Sequence, residues 1–229
     1  MTNQIKKELS LGIVTIALFG ATIPSNADIL LGVDPGAPWI GYMNVFELPS
    51  NGGAYQFGQA WGTADLVATF SGPTLTLAPN TINDPSSYWY TPSGGPGAMG
   101  NKTMDANMYV EQTGPLSGQN VTFTGLVLAN TLVSPYTSVA FIKDFAPDYS
   151  SSVSVTVPLT PGVFSLTLAT IGTAGRHVQY GFETIGPDVW ITDVGPDGSV
   201  QITAVPEPAT LALLALAGFG LAAFRRQRQ

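Results

Sequence analysis

The sequence predicts an all-β fold, an antiparallel β-sandwich of jelly-roll-like design, with one apolar helix before it and one after it. Three observations carry this reading. Apolar residues in the body alternate with polar ones at period 2, the spacing of half-buried strands rather than of helices. Gly/Pro turns separate these runs at short intervals, as an antiparallel sandwich requires. Long uncharged apolar runs lie near the two ends of the chain, at 9–23 and 209–224.

At the N-terminal end, Lys6 and Lys7 precede the apolar stretch Leu9 to Ile23, and Ser25-Asn26-Ala27 places small residues where a peptidase cuts. Residues 1–27 therefore read as a secretory signal peptide, with signal peptidase cutting between Ala27 and Asp28. The alternative is an uncleaved anchor, against which stand Pro24 and the small residues that end the run.

The body, 28–204, has one domain's worth of chain. Its strands read in order as Ile40–Phe46, Ala64–Phe70, Thr74–Ala78, Asn107–Glu111, Val121–Phe123, Ser138–Lys143, Val153–Val157, Phe164–Leu168, Val178–Phe182, Asp188–Thr192 and Ser199–Thr203. In the clearest of them Val153, Val155 and Val157 alternate with Ser and Thr, as do Phe164, Leu166 and Leu168. Turn chemistry lies between them, in Ser71-Gly72-Pro73, Thr113-Gly114-Pro115, Thr160-Pro161-Gly162 and Gly195-Pro196-Asp197-Gly198. Two-layer packing places the Val153, Phe164 and Phe123 faces in one core. The longest irregular stretch, Pro79 to Asn101, exceeds what a plain connection needs.

Three basic residues (Lys102, Lys143, Arg176) face thirteen acids in the body, a net charge of −10. Such a surface repels phosphate backbones and argues against nucleic acid as a partner. With no cysteine in the chain, no disulfide and no catalytic thiol is available. A structural Ca²⁺ is compatible with the paired carboxylates Asp144/Asp148 and Asp193/Asp197, although Asp in Gly/Pro turns also occurs for backbone reasons.

The C-terminal segment, 205–229, has three parts. Val205, Pro206, Glu207 and Pro208 form an extended, solvent-facing stretch, because each proline lacks a backbone donor and fixes φ. Ala209 to Phe224 follow without a charge, and 16 helical residues reach ~24 Å against a ~30 Å hydrocarbon core. Arg225, Arg226 and Arg228 then hold the cytoplasmic side and set the topology. In order, spacing and position these parts resemble the PEP-CTERM sorting signal of Gram-negative bacteria. The resemblance implies recognition of Val205 to Pro208 by an exosortase, transient anchoring in the inner membrane, and passage to the cell surface or exopolysaccharide matrix. The alternative is an ordinary C-terminal anchor with an incidental proline turn. From Gly118 to Trp190 the strand pattern is also similar to galactose-binding-like and carbohydrate-binding-module jelly rolls, a likeness that transfers no binding residue.

Sugar rings stack on Trp and Tyr faces. Tyr88-Trp89-Tyr90, in the long irregular stretch, is the densest aromatic cluster and thus the candidate glycan platform, unless alternation buries it as a core strand. Trp39, Trp61 and Trp190 read as core. The chain has no Gly-x-Ser-x-Gly elbow, and its single histidine, His177, begins a strand. A polysaccharide hydrolase or lyase would have to use Glu111 and Glu183, on separate strands. The expectation is therefore an exported, non-enzymatic structural or glycan-binding component with no catalytic residue. Its expected partners are signal peptidase and exosortase during export, and then a polysaccharide.

Overall fold

A computed structural model of the chain describes residues 28–206. The expected signal peptide with Ala27, and Glu207, Pro208, the apolar run 209–224 and Arg225, Arg226 and Arg228, lie outside the described residues. Among the described residues no helix is long and apolar enough to cross a membrane.

Among the described residues fourteen strands form in chain order: β1 (Asp28–Leu31), β2 (Ile40–Glu47), β3 (Tyr55–Trp61), β4 (Ala68–Ser71), β5 (Thr74–Leu77), β6 (Tyr90–Thr91), β7 (Met99–Gly100), β8 (Lys102–Thr113), β9 (Asn120–Asn130), β10 (Thr137–Phe145), β11 (Ser152–Pro158), β12 (Gly162–Ala169), β13 (His177–Pro187) and β14 (Val200–Thr203). One sheet, sheet B, runs β11-β10-β13-β8-β2-β3. The other, sheet A, runs β1-β9-β14-β5-β4, with β12 on the opposite edge of β9. β6 and β7 make a small separate hairpin.

Eight strands carry the design. Numbered by chain order, β5, β14, β9 and β12 lie side by side in one layer and β8, β13, β10 and β11 in the other. The chain crosses between layers at almost every step, so that each sheet interleaves early and late strands in a jelly-roll-like order. β2 and β3 widen sheet B, and β4 widens sheet A.

Strand alternation then decides the two faces. Along β8, Met104, Ala106, Met108 and Val110 are buried in the core. They meet Val178, Tyr180 and Phe182 of β13 and, from sheet A, Val121 and Phe123 of β9 and Phe164 and Leu166 of β12. Phe123 packs edge-on against Phe164 and tilted against Phe182 at ring centroids of 5.4 Å. Trp39, Trp61 and Trp190 are partly buried against this core.

Some expected strands shift. The run expected at Ala64–Phe70 becomes a strand only from Ala68, because the backbone turns first, with Asp65 and Leu66 N–H both donating to Gly62 O. Asp188–Thr192 is not a strand. β13 continues to Pro187, Val189 makes a single bridge to Thr81, and the chain then turns at Trp190. Val153 is 40 % exposed rather than part of the core, since β11 is an edge strand and only Val155 and Val157 reach the core. β1 and β3 carry no clean alternation in sequence and were not expected.

At one end of the sandwich Arg176 and Asp144 form a buried ion pair, Nε to Oδ1 at 2.7 Å. Arg176 Nη2 also donates to the Asp144 carbonyl, and the second carboxylate oxygen accepts from Ile171 N–H. This pair ties the start of β13 to β10. Removing one partner strands the other charge in the interior, which costs about 3–5 kcal/mol. Arg176→Met is therefore expected to lower the thermal midpoint by about 10 °C, and a loss below about 3 °C in a thermal scan contradicts this role.

Candidate functional site

β8 and β13 pair over eleven residues without a register shift, from His177 opposite Thr113 to Pro187 opposite Thr103. The face of sheet B turned away from the core is consequently a regular grid. Its rows across the strands read Glu111, Gln179, Lys143, then Tyr109, Gly181, Phe141, then Tyr42, Asn107, Glu183.

Gly181 is essential to this surface. A Cβ there would lie 2.1 Å from Met108 O and 2.6 Å from Tyr109 Cα, so no other residue fits. Its missing side chain leaves a gap across which Tyr109 and Phe141 pack at 6.5 Å. Both rings are buried although they lie on the outer face. Lys143 Nζ sits over the Phe141 ring at 4.1 Å and reaches across the gap to Asn107 Oδ1 (2.9 Å) and Glu183 Oε2 (2.7 Å).

A polar network surrounds the gap. Glu111 accepts from Gln179 Nε2 (2.7 Å) and from the Tyr149 hydroxyl (2.9 Å), and its Oε1 lies 3.2 Å from His177 Nδ1. Asp105 accepts from Asn107 and Asn44 side-chain amides. Asn107 and Gln179 are only 5 % and 7 % exposed, far less than a plain solvent-facing sheet would leave them. Over the Glu111 end of this network lies Tyr149, in the β10–β11 loop. It adopts φ 56°, stacks on His177 at 4.3 Å and packs against Phe145. A left-handed conformation is unfavourable for a residue with a bulky side chain, and here the ring contacts and the Glu111 hydrogen bond hold it.

The result is a cleft of about 450 Å³ between Tyr42, Tyr109, Tyr149, Asn107, Gln179 and Lys143, within the ~300–1,000 Å³ of small-molecule sites. Burial, with the Glu111 hydrogen bond second, pushes the Tyr149 hydroxyl up to about 12. Burial also raises Tyr109, helped by Glu111 and Tyr42. Both phenols are thus protonated donors at neutral pH. Burial, and then the Glu183 charge, lift Asp105 to about 6.

The second functional element is the exit of the chain from sheet A. β14 ends at Thr203, whose hydroxyl donates to Pro73 O. Ala204, Val205 and Pro206 follow outside any strand, all exposed. Residues 204–228 match the family model for the PEP-CTERM protein-sorting motif. The chain carries a PEP-CTERM sorting motif. It is accordingly an exosortase substrate, exported and transiently anchored in the membrane before release. Neither a curated protein nor a solved structure matches the chain.

In this PEP-CTERM protein the aromatic triplet does not form a platform. Tyr90 is fully buried, its hydroxyl placed among Ile82 N, Ile82 O and Val189 O at 2.7–3.0 Å, so it cannot touch a ligand. Trp89 packs edge-on against Phe57 and the core. Tyr88 alone is exposed, with Lys102 Nζ 4.3 Å from its ring centroid. The expected calcium pairs do not assemble either. Asp144 is committed to Arg176, whereas Asp148 is exposed and bonded to Ser150. Asp193 accepts from Gly97 N–H and Thr192. Burial, opposed by the Tyr136 hydroxyl, raises Asp197. Among the described residues no group of three or more His, Asp or Glu could hold a metal ion. Asp28, the residue after the expected cleavage point, begins β1 and accepts from Asn120.

The elevated Asp105 gives a pH signature. Its folded value, about 6 against an ordinary 3.8, means that the folded state holds the proton more tightly. The charged form therefore weakens the fold above about pH 6, and that penalty disappears as the pH falls from about 6 to about 4. Asp188, lifted to about 6 mainly by burial, has the same sign. In urea unfolding, the stability gained by Asp105→Asn relative to the parent is expected to be larger at pH 8 than at pH 4. An equal difference at both pH values contradicts the assignment.

Proposed function

We infer that this exported protein is a non-enzymatic, glycan-binding component of the cell envelope or exopolysaccharide matrix, and that it holds a neutral sugar chain in the outer-face cleft of sheet B. The observation that carries this reading is the cleft itself, in which aromatic walls and the buried amides of Asn107 and Gln179 converge on a gap made by Gly181. Sugar hydroxyls both donate and accept. The Tyr42 and Tyr109 phenols line the cleft and can do the same. Tyr42, Tyr109 and Tyr149 offer the apolar surface that a pyranose C–H face needs.

Charge supports a neutral ligand. Glu111, Glu183 and Asp105 surround one cation, Lys143, whose bonds already go to Glu183 and Asn107. A uronate-rich chain would meet repulsion without a free cation to relieve it.

The rival reading is an extracellular hydrolase or lyase. Glu111 and Glu183 do share one face, but they stand four residues apart along paired strands, Glu111 opposite Gln179 and Glu183 opposite Asn107. That is ~13 Å along the strand, beyond the ~5–9.5 Å of glycosidase carboxyl pairs. Each is also held by neighbours, Glu111 by three and Glu183 by Lys143. This favours binding over cleavage.

Binding of neutral oligosaccharides, screened on an array and measured by calorimetry, is expected to weaken at least ~10-fold in Tyr42→Ala, the scale of an aromatic contact residue. Trp89→Ala is expected to change stability and leave affinity in place. Affinity that survives Tyr42→Ala but is lost in Tyr88→Ala moves the site elsewhere. No binding at all supports a passive matrix role, and release of reducing or unsaturated ends supports the enzyme.

A further inference from the structure

The edge of β9 is shared by two segments that run toward each other. β14 pairs with it from Val200 opposite Asn130 to Thr203 opposite Leu126. β1 pairs with the same edge in parallel, from Asp28 opposite Asn120 to Leu31 opposite Phe123, while β12 covers the other edge of β9. Val33 then enters the core within 2.8 Å of where a Cβ on Gly125 would stand. Continued in register, Ala204, Val205 and Pro206 would fall opposite Gly125, Thr124 and Phe123, where Leu31 already pairs with Phe123 and the Val33 side chain lies against Gly125. The far side of β14 offers no alternative, because β5 begins at Thr74, after Pro73. The chain therefore has no ladder to follow beyond Thr203, and Ala204 to Pro206 are exposed.

We propose that β1 is a positioning element for the sorting reaction: by filling the β9 edge it keeps Ala204 and Val205 from being added to the sheet, and so presents the motif to the exosortase. An unpaired strand edge readily takes up neighbouring backbone, and a protease-type enzyme needs its substrate extended and free. Three features hold β1 in place. Asn120 Nδ2 donates to Asp28 Oδ1 at 3.1 Å, Ile29 and Leu31 pack against the core, and Val33 is buried in it. Leu30 faces solvent at 72 % exposure. The strand thus contributes its backbone and alternate side chains only, as a space-filling edge does. The proposal rests on the motif being an exosortase substrate, and one arm of its test does not depend on that enzyme.

The test releases β1 with Ile29→Asp, Leu31→Asp and Val33→Ser in the full chain, and checks that β13 amides remain protected. Hydrogen exchange on the chain purified from membranes in detergent is expected to show unprotected Ala204 and Val205 amides in the parent and at least tenfold slower exchange in the released variant. In cells with the exosortase, the fraction of N-terminally cleaved chains that lose the C-terminal tail is expected to fall at least threefold. Adding Ala204→Pro, which removes the donor and blocks strand addition, should restore it. The proposal is overturned if Ala204 and Val205 stay unprotected after release, or if lost processing is not recovered by Ala204→Pro. A parent chain that is never processed refutes the sorting assignment instead, while the exchange arm still decides the role of β1.

Discussion

The unbroken pairing of β8 with β13 is the constraint on which the rest of the molecule depends. Because eleven residues stay in one register, both faces of sheet B are set together. Met104, Met108, Val178 and Phe182 close the core on one side, and Asn107, Glu111, Gln179 and Glu183 line up on the other. A slip of one residue would exchange these sets. The close approach at Gly181, which admits no Cβ, resists such a slip and at the same time opens the gap over which the cleft forms. Core and cleft are therefore two consequences of one ladder.

The two layers divide the work. Sheet A receives the chain after the expected signal cleavage point, as β1, and releases it toward the sorting motif after β14. Sheet B carries the cleft on its outer face, the opposite side of the sandwich. A domain held by its ends thus leaves the cleft open. With no cysteine in the chain, persistence outside the cell relies on this packing and on buried polar pairs such as Arg176 with Asp144. A buried pair of this kind adds little net stability, but breaking it is expensive, so its value lies in fixing how β10 meets β13.

The sorting motif was legible because it is linear: Val205 to Pro208, the apolar run and the arginines stand consecutively. The β-sandwich was legible where one face is dry and one wet, as in β12. It was less so at β8, where Asp105, Asn107, Tyr109 and Glu111 alternate with the core residues but are themselves half-buried (Asp105, Glu111) or buried (Asn107, Tyr109). The cleft escaped sequence reasoning because its walls come from strands spanning Ile40 to Gln179, and only the register brings them together. A usable signal existed in that polar alternation along β8, with a second in His177 and Gln179 on β13. The Tyr88-Trp89-Tyr90 cluster misled for a physical reason. Its density reflects an anchor, with Tyr90 satisfying the backbone at Ile82 and Val189, and so stitching the long irregular stretch to the end of β13. Asp144 misled likewise, since a carboxylate in a Pro-containing turn and one paired with a distant arginine look alike in sequence.

The central claim is that the outer face of sheet B is where a ligand sits. Backbone amide shifts of the isotope-labelled protein, titrated with neutral oligosaccharides, test it residue by residue. The account predicts perturbations gathered at Asn44, Asn107, Glu111, Lys143 and Gln179 and quiet amides at Tyr88 and Trp89. Perturbations confined to Tyr88, Trp89 and their neighbours, with sheet B unmoved at saturating sugar, contradict it.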